Sequence, residues 1–189
     1  MTAPSPTPVT EPAASGSADP AASGSVVTSA VATVAPTTAP ATSLDKTAAA
    51  AMQVALAGEN AAVWSYSLVA AFDPDNAGTA SDMRDAHMVR RDDASERLTV
   101  AKVKPNAAEP AYKLPKPVTD PKSARALAMT LESDSAAAWL GVVGSTDDID
   151  LRSYALAGLT DAAVRLTTWK KIAKVSPQTV PFPGQQGSD

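Results

Sequence analysis

The chain has 189 residues, with 16 Lys and Arg, 20 Asp and Glu, one His and no Cys, which suits one ordinary domain and a tail. Without cysteine there are no disulfides, thiolate metal sites, cysteine nucleophiles or lipid-modified cysteines in the sequence. All 16 basic and 17 of the acidic residues fall between Thr42 and Val175, a net charge near −1 with no basic stripe to neutralise nucleic-acid phosphates.

Residues 1–42 contain no Lys, Arg or aromatic residue and consist largely of Ala, Pro, Thr, Ser and Gly. Such a composition buries too little apolar surface to offset chain entropy, so a disordered linker is expected there. Its most apolar stretch, Val26 to Ala35, is too short to span a bilayer. No positive residue precedes that stretch, as a signal peptide requires. Linkers of this kind hold exported domains away from an envelope, so export is expected, with the targeting signal outside these residues. A cytoplasmic terminus is the alternative.

The first helix is expected from about Leu44 to Phe72, capped by Ser43, with Asp45 in its first turn. Its apolar stripe runs Leu44, Ala48, Met52, Ala55/Leu56, Glu59, Val63, Tyr66 and Ala70. Spacings of three and four put Glu59 on the apolar face, where an unpartnered carboxylate costs several kcal/mol. The run Asp73-Pro74-Asp75-Asn76-Ala77-Gly78 is dense turn chemistry. A second helix is expected from about Ser81 to Lys102, turning Met83, His87, Ala94, Leu98 and Ala101 to one face. Between Lys104 and Thr119 come four prolines, so this connection should be extended, pinned by Tyr112 and Leu114. Asp120 followed by Pro121 starts a third helix, which continues through Leu127, Leu131, Ser135, Ala138 and Val142 to about Gly144. Ser145 to Asp148 caps a fourth, carrying Leu151, Tyr154, Gly158, Ala162, Arg165, Trp169 and Ile172. Residues 176–189 read as an extended tail, leaving 43–175 as an all-α four-helix bundle of two hairpins joined by a long connection. Trp64, Trp139 and Trp169 are expected to supply bulk to an alanine-rich core.

The polar residues at similar depth are Glu59, His87, Arg91, Glu132, Asp161 and Arg165. A dimetal site in such a bundle draws a Glu from each of two helices and a Glu-x-x-His from each of the other two. Here Arg84 stands three residues before His87, and the fourth helix offers Asp161 with Val164. One histidine cannot supply two imidazoles, and Arg91 and Arg165 bring positive charge where cations would sit. The expectation is therefore a buried ion and hydrogen-bond network that fixes helix register, with Asp161–Arg165 and His87–Arg91 as i,i+4 pairs. The alternative is a metal held by Glu59, His87 and Glu132. No Gly-x-Ser-x-Gly elbow, phosphate loop or EF-hand is present.

These residues lie in stretches that resemble a known family: Leu56 to Tyr66 (LAGENAAVWSY), His87 to Asp92 (HMVRRD), Pro117 to Leu127 (PVTDPKSARAL), Leu131-Glu132 with Ala136 to Trp139, Leu159 to Arg165 (LTDAAVR) with Trp169, and Phe182-Pro183-Gly184. In order and spacing they are similar to DUF4439, a ferritin-like domain family of uncharacterised actinobacterial proteins. The resemblance implies a ferritin-like four-helix bundle, often exported, with no established activity, and the ligand count above leaves no cofactor expected. Where members show Glu-His, this chain has Glu59-Asn60, one ligand fewer. The ligand count favours a metal-free binding or structural module outside the cytoplasm, whose partner is an unidentified protein, an envelope component or a second copy of the chain. The alternative is a metal-dependent redox or storage protein.

Overall fold

A computed structural model of the chain describes residues 43–114 and 116–185. The linker expected over residues 1–42 lies outside them. Four helices follow in order: α1 (Lys46–Phe72), α2 (Ala77–Val100), α3 (Pro121–Gly144) and α4 (Ile149–Ile172).

The caps explain the boundaries. Asp45, not Ser43, caps α1, its carboxylate accepting from the backbone N–H of Thr47 and Ala48 at 2.7 and 2.8 Å. An aspartate there both accepts those bonds and complements the helix dipole. α2 begins earlier than Ser81 because the turn chemistry is used up in a single 3-10 turn, Pro74–Asn76, that leads straight into the helix. Asp120 forms a capping box with Ser123 at the start of α3, and Asp148 caps α4 by accepting from Leu151 N–H.

α1 packs against α2 and α3, and α3 packs against α4. Asp73, buried at the end of α1, accepts two bonds from Arg125 near the start of α3, at 2.7 and 2.9 Å. α1 and α3 are thus antiparallel, and the connection over residues 101–120 must run the length of the bundle to deliver the chain. It climbs along α1. Gln53 donates to Lys104 C=O and accepts from Asn106 N–H near one end. Tyr112 packs on Trp64 with ring centroids 5.9 Å apart, and Leu114 and Val118 reach the core nearer the other end. Trp64 is therefore only half-buried and clamps the connection, while Trp139 and Trp169 are fully buried.

The core comes in two apolar clusters. One gathers Met52, Leu56, Leu98, Trp139 and Leu151, the other Tyr66, Val69, Met83, Leu127 and Trp169. On each helix one position separates the two clusters: Glu59, His87, Glu132 and Arg165. After α4, residues 176–185 form bends and a turn and come back to α3. There Gly184, at φ 81°, has no room for a side chain, since a Cβ would lie 2.5 Å from the Ala136 carbonyl oxygen.

Candidate functional site

The layer between the two clusters is polar and dry. Glu59 is 1% exposed, and His87 and Glu132 are 0% exposed. His87 lies between the two acids, with Nδ1 2.6 Å from Glu59 Oε2 and Nε2 3.0 Å from Glu132 Oε1. A neutral imidazole has one donor and one acceptor nitrogen, so two carboxylate partners demand the doubly protonated form. Electrostatics agree. Burial would push the His87 pKa down, but the hydrogen bonds and charges of Glu132 and Glu59 hold it above its ordinary value. Burial likewise pushes the Glu59 carboxyl up, and His87, the Trp139 indole and Arg165 together hold it below the usual range.

Each carboxylate oxygen of the layer has at least one partner. Glu59 Oε1 accepts from the Trp139 indole N–H at 2.7 Å and from the Ser135 hydroxyl at 3.3 Å. Glu132 Oε1 also accepts from the Tyr66 hydroxyl at 2.6 Å, and Oε2 accepts from Arg165 Nε at 2.9 Å. Tyr66 in turn accepts from the Trp169 indole N–H at 2.8 Å. Burial, then the charge of Glu132, raises the Tyr66 phenol well above its ordinary pKa, so it remains a donor. Among the described residues no buried side-chain nitrogen or oxygen lacks a partner. Two carboxylates, one imidazolium and one guanidinium sum to zero charge, the condition under which a buried ion cluster is tolerated.

Of the six polar residues singled out in the sequence, the structure brings Glu59, His87, Glu132 and Arg165 together and leaves Arg91 and Asp161 outside. The expected i,i+4 pairs are corrected. Arg165 turns to Glu132 rather than Asp161, because a buried carboxylate needs the cation more than an exposed one does. Asp161, whose side chain is 51% exposed, pairs instead with Arg90 of α2. Arg91 pairs with its neighbour Asp92 and not with His87. Tyr66, Ser135, Trp139 and Trp169 complete the layer, although sequence reasoning counted them only as packing. The signal available was a polar tip on a stripe that also carries Glu59 or Glu132.

The metal pair associated with ferritin-like bundles does not fit these residues. Both nitrogens of the single histidine are committed to carboxylates, and Arg165 occupies the second oxygen of Glu132. Asn60 stands beside Glu59 with no imidazole to offer. Among the described residues no group of three or more His, Asp or Glu side chains is arranged to hold an ion, and no helix is long and apolar enough to cross a membrane.

Comparison with known proteins gives the same architecture. A family model described as a domain of unknown function, DUF4439, matches residues 51–187. The crystal structure of a conserved hypothetical protein from Mycobacterium tuberculosis superimposes with a TM-score of 0.66 at 34% identity. The match covers 72% of this chain and 97% of that one. Among curated proteins nothing matches significantly.

Proposed function

The chain belongs to the DUF4439 family, and from that premise we propose that it is a non-catalytic, metal-free ferritin-like module that binds or braces a partner outside the cytoplasm. The observation that carries this reading is His87, whose two nitrogens already serve Glu59 and Glu132. A metal ion would have to break both bonds and expel or reposition Arg165. The layer instead does the work of register: each of the four helices contributes one charged residue, so a slip of any helix strands a buried charge. The composition of residues 1–42 supports a tether that holds the module at a distance from its attachment.

The test is elemental analysis of the purified chain before and after incubation with ferrous iron, manganese and zinc, with thermal melts alongside. No stoichiometric metal and superimposable melts are expected. Bound metal that raises the melting temperature would overturn the reading in favour of a redox or storage protein.

A further inference from the structure

Outside the charged layer, a cleft of about 450 Å³ opens between α1, α2 and the proline-rich connection. Its volume lies within the range of small-molecule sites. Trp64 and Tyr112 form one side as a tilted aromatic pair, 54° between ring planes. Tyr112 is itself held, its hydroxyl accepting from Glu109 N–H at 3.1 Å. Arg84 and Arg91, two turns apart on α2, stand opposite, and Glu109 lies at the edge. Asn60 also lines the cleft. It is 9% exposed and takes no part in the charged layer.

The chemistry of these six residues selects among ligand classes. An apolar ligand would meet Val63, Met88 and Ala108 but would strip water from Asn60 without replacing its hydrogen bonds, a cost of about 1–3 kcal/mol. A strongly anionic ligand finds no surplus of positive charge. The carboxylates of Asp85, Asp92 and Glu109 outnumber the guanidiniums of Arg84 and Arg91. A polyol with an apolar face meets neither objection. Its C–H face stacks on an indole or phenol ring, and its vicinal hydroxyls match the planar carboxamide, guanidinium and carboxylate groups.

We propose that this cleft is a saccharide-binding site, with Trp64 and Tyr112 as the stacking platform and Asn60, Arg84, Arg91 and Glu109 as hydroxyl partners. The assignment deepens the reading of the domain as a binding module and rests on it. The ion pairs to Asp85 and Asp92 are solvent-exposed and weakly held, so the arginines can turn to a ligand at little cost.

The full chain is tested on an array of neutral and acidic glycans, and by saturation-transfer NMR with maltose, cellobiose and mannobiose at about 5 mM, near the weak end of specific binding. Saturable binding is expected, with transfer concentrated on the C–H protons of one sugar face. Trp64→Leu should weaken binding at least about tenfold, about 1.4 kcal/mol, while Trp64→Phe retains most of it. Arg91→Ala, at a partly exposed position that leaves the core untouched, should also weaken it and serves if Trp64→Leu unfolds. Silence of every glycan in both assays, or binding indifferent to Trp64→Leu and Arg91→Ala, overturns the proposal. So does saturable binding of inorganic phosphate with no sugar bound, which would give the cleft to an anion. Sugar silence with no metal uptake removes only the saccharide, whereas stabilising metal uptake removes the module reading itself.

Discussion

Gly158 of α4 faces the indole of Trp139 so closely that a Cβ there would lie 2.7 Å from Cδ2 of the ring. The missing side chain is what lets α4 approach the tryptophan that holds Glu59. Gly158→Ala is therefore expected to destabilise the bundle by about 1–3 kcal/mol, through displacement of a fully packed ring. Gly141, exposed on α3 with nothing within 4 Å of its Cβ position, provides the opposite case. Gly141→Ala should stabilise by about 0.5–1 kcal/mol through helix propensity. Denaturant unfolding of the two variants checks the contrast, and equal effects would contradict the geometry.

Removing one member of the charged layer leaves the others buried without a partner. Glu59→Ala strands His87 Nδ1, the Trp139 indole N–H and a positive charge, so a loss of about 3–5 kcal/mol is expected. Thermal and urea melts measure it. A melting temperature unchanged to within about a degree would mean that water reaches the layer.

The layer also sets a pH profile. His87 has a folded-state pKa raised above its ordinary value, so its contribution is complete below the unfolded value near 6.5 and is lost as pH rises through the folded one. Glu59 is lowered, so its contribution is present above about 4.5 and is lost as pH falls through its folded value. Stability should hold across the mildly acidic range and decline on both sides. In the His87→Gln variant the alkaline decline should flatten, a difference that melts from pH 5 to 9 resolve.

Two lysines occupy backbone positions that suit glycine. Lys102, at φ 61°, and Lys174, at φ 56°, each lie two residues past the end of a helix, after the C-cap residues Ala101 and Ala173. After each, the next N–H reaches back to close the helix, Val103 to Leu98 C=O at 2.8 Å and Val175 to Lys170 C=O at 2.9 Å. Left-handed backbone costs a side-chain-bearing residue about 1 kcal/mol or more. Lys102→Gly and Lys174→Gly should each raise stability by up to about 1 kcal/mol, read from the midpoint of urea unfolding.

Much of this molecule is legible from its residues, and the illegible part has a physical cause. Met83, His87, Ala94 and Leu98 share a face because the 3.6-residue period dictates it, and Asp120-Pro121 starts a helix for local reasons. Glu59 is conspicuous for the same reason, a charge in the apolar phase of that period. Local arithmetic fails where partners lie on different helices. It gave Arg165 to Asp161 because four residues separate them, an exposed pairing worth only a few tenths of a kcal/mol. Arg165 goes instead to Glu132, whose burial makes its demand larger, and only the packed structure reveals that demand. Trp139 and Trp169 show the same limit, since an indole reads as bulk until the position of its N–H is known.

The long connection that climbs along α1 separates the chain into two hairpins, and the charges divide along the same line. Glu59 and His87 belong to the first, Glu132 and Arg165 to the second, each a close pair on its own account. Either half can thus assemble from contacts near in sequence without committing a lone charge to its interior. The two hairpins therefore face each other as electrically balanced surfaces, and the bonds from His87 and Tyr66 to Glu132 and from Trp139 to Glu59 lock one to the other.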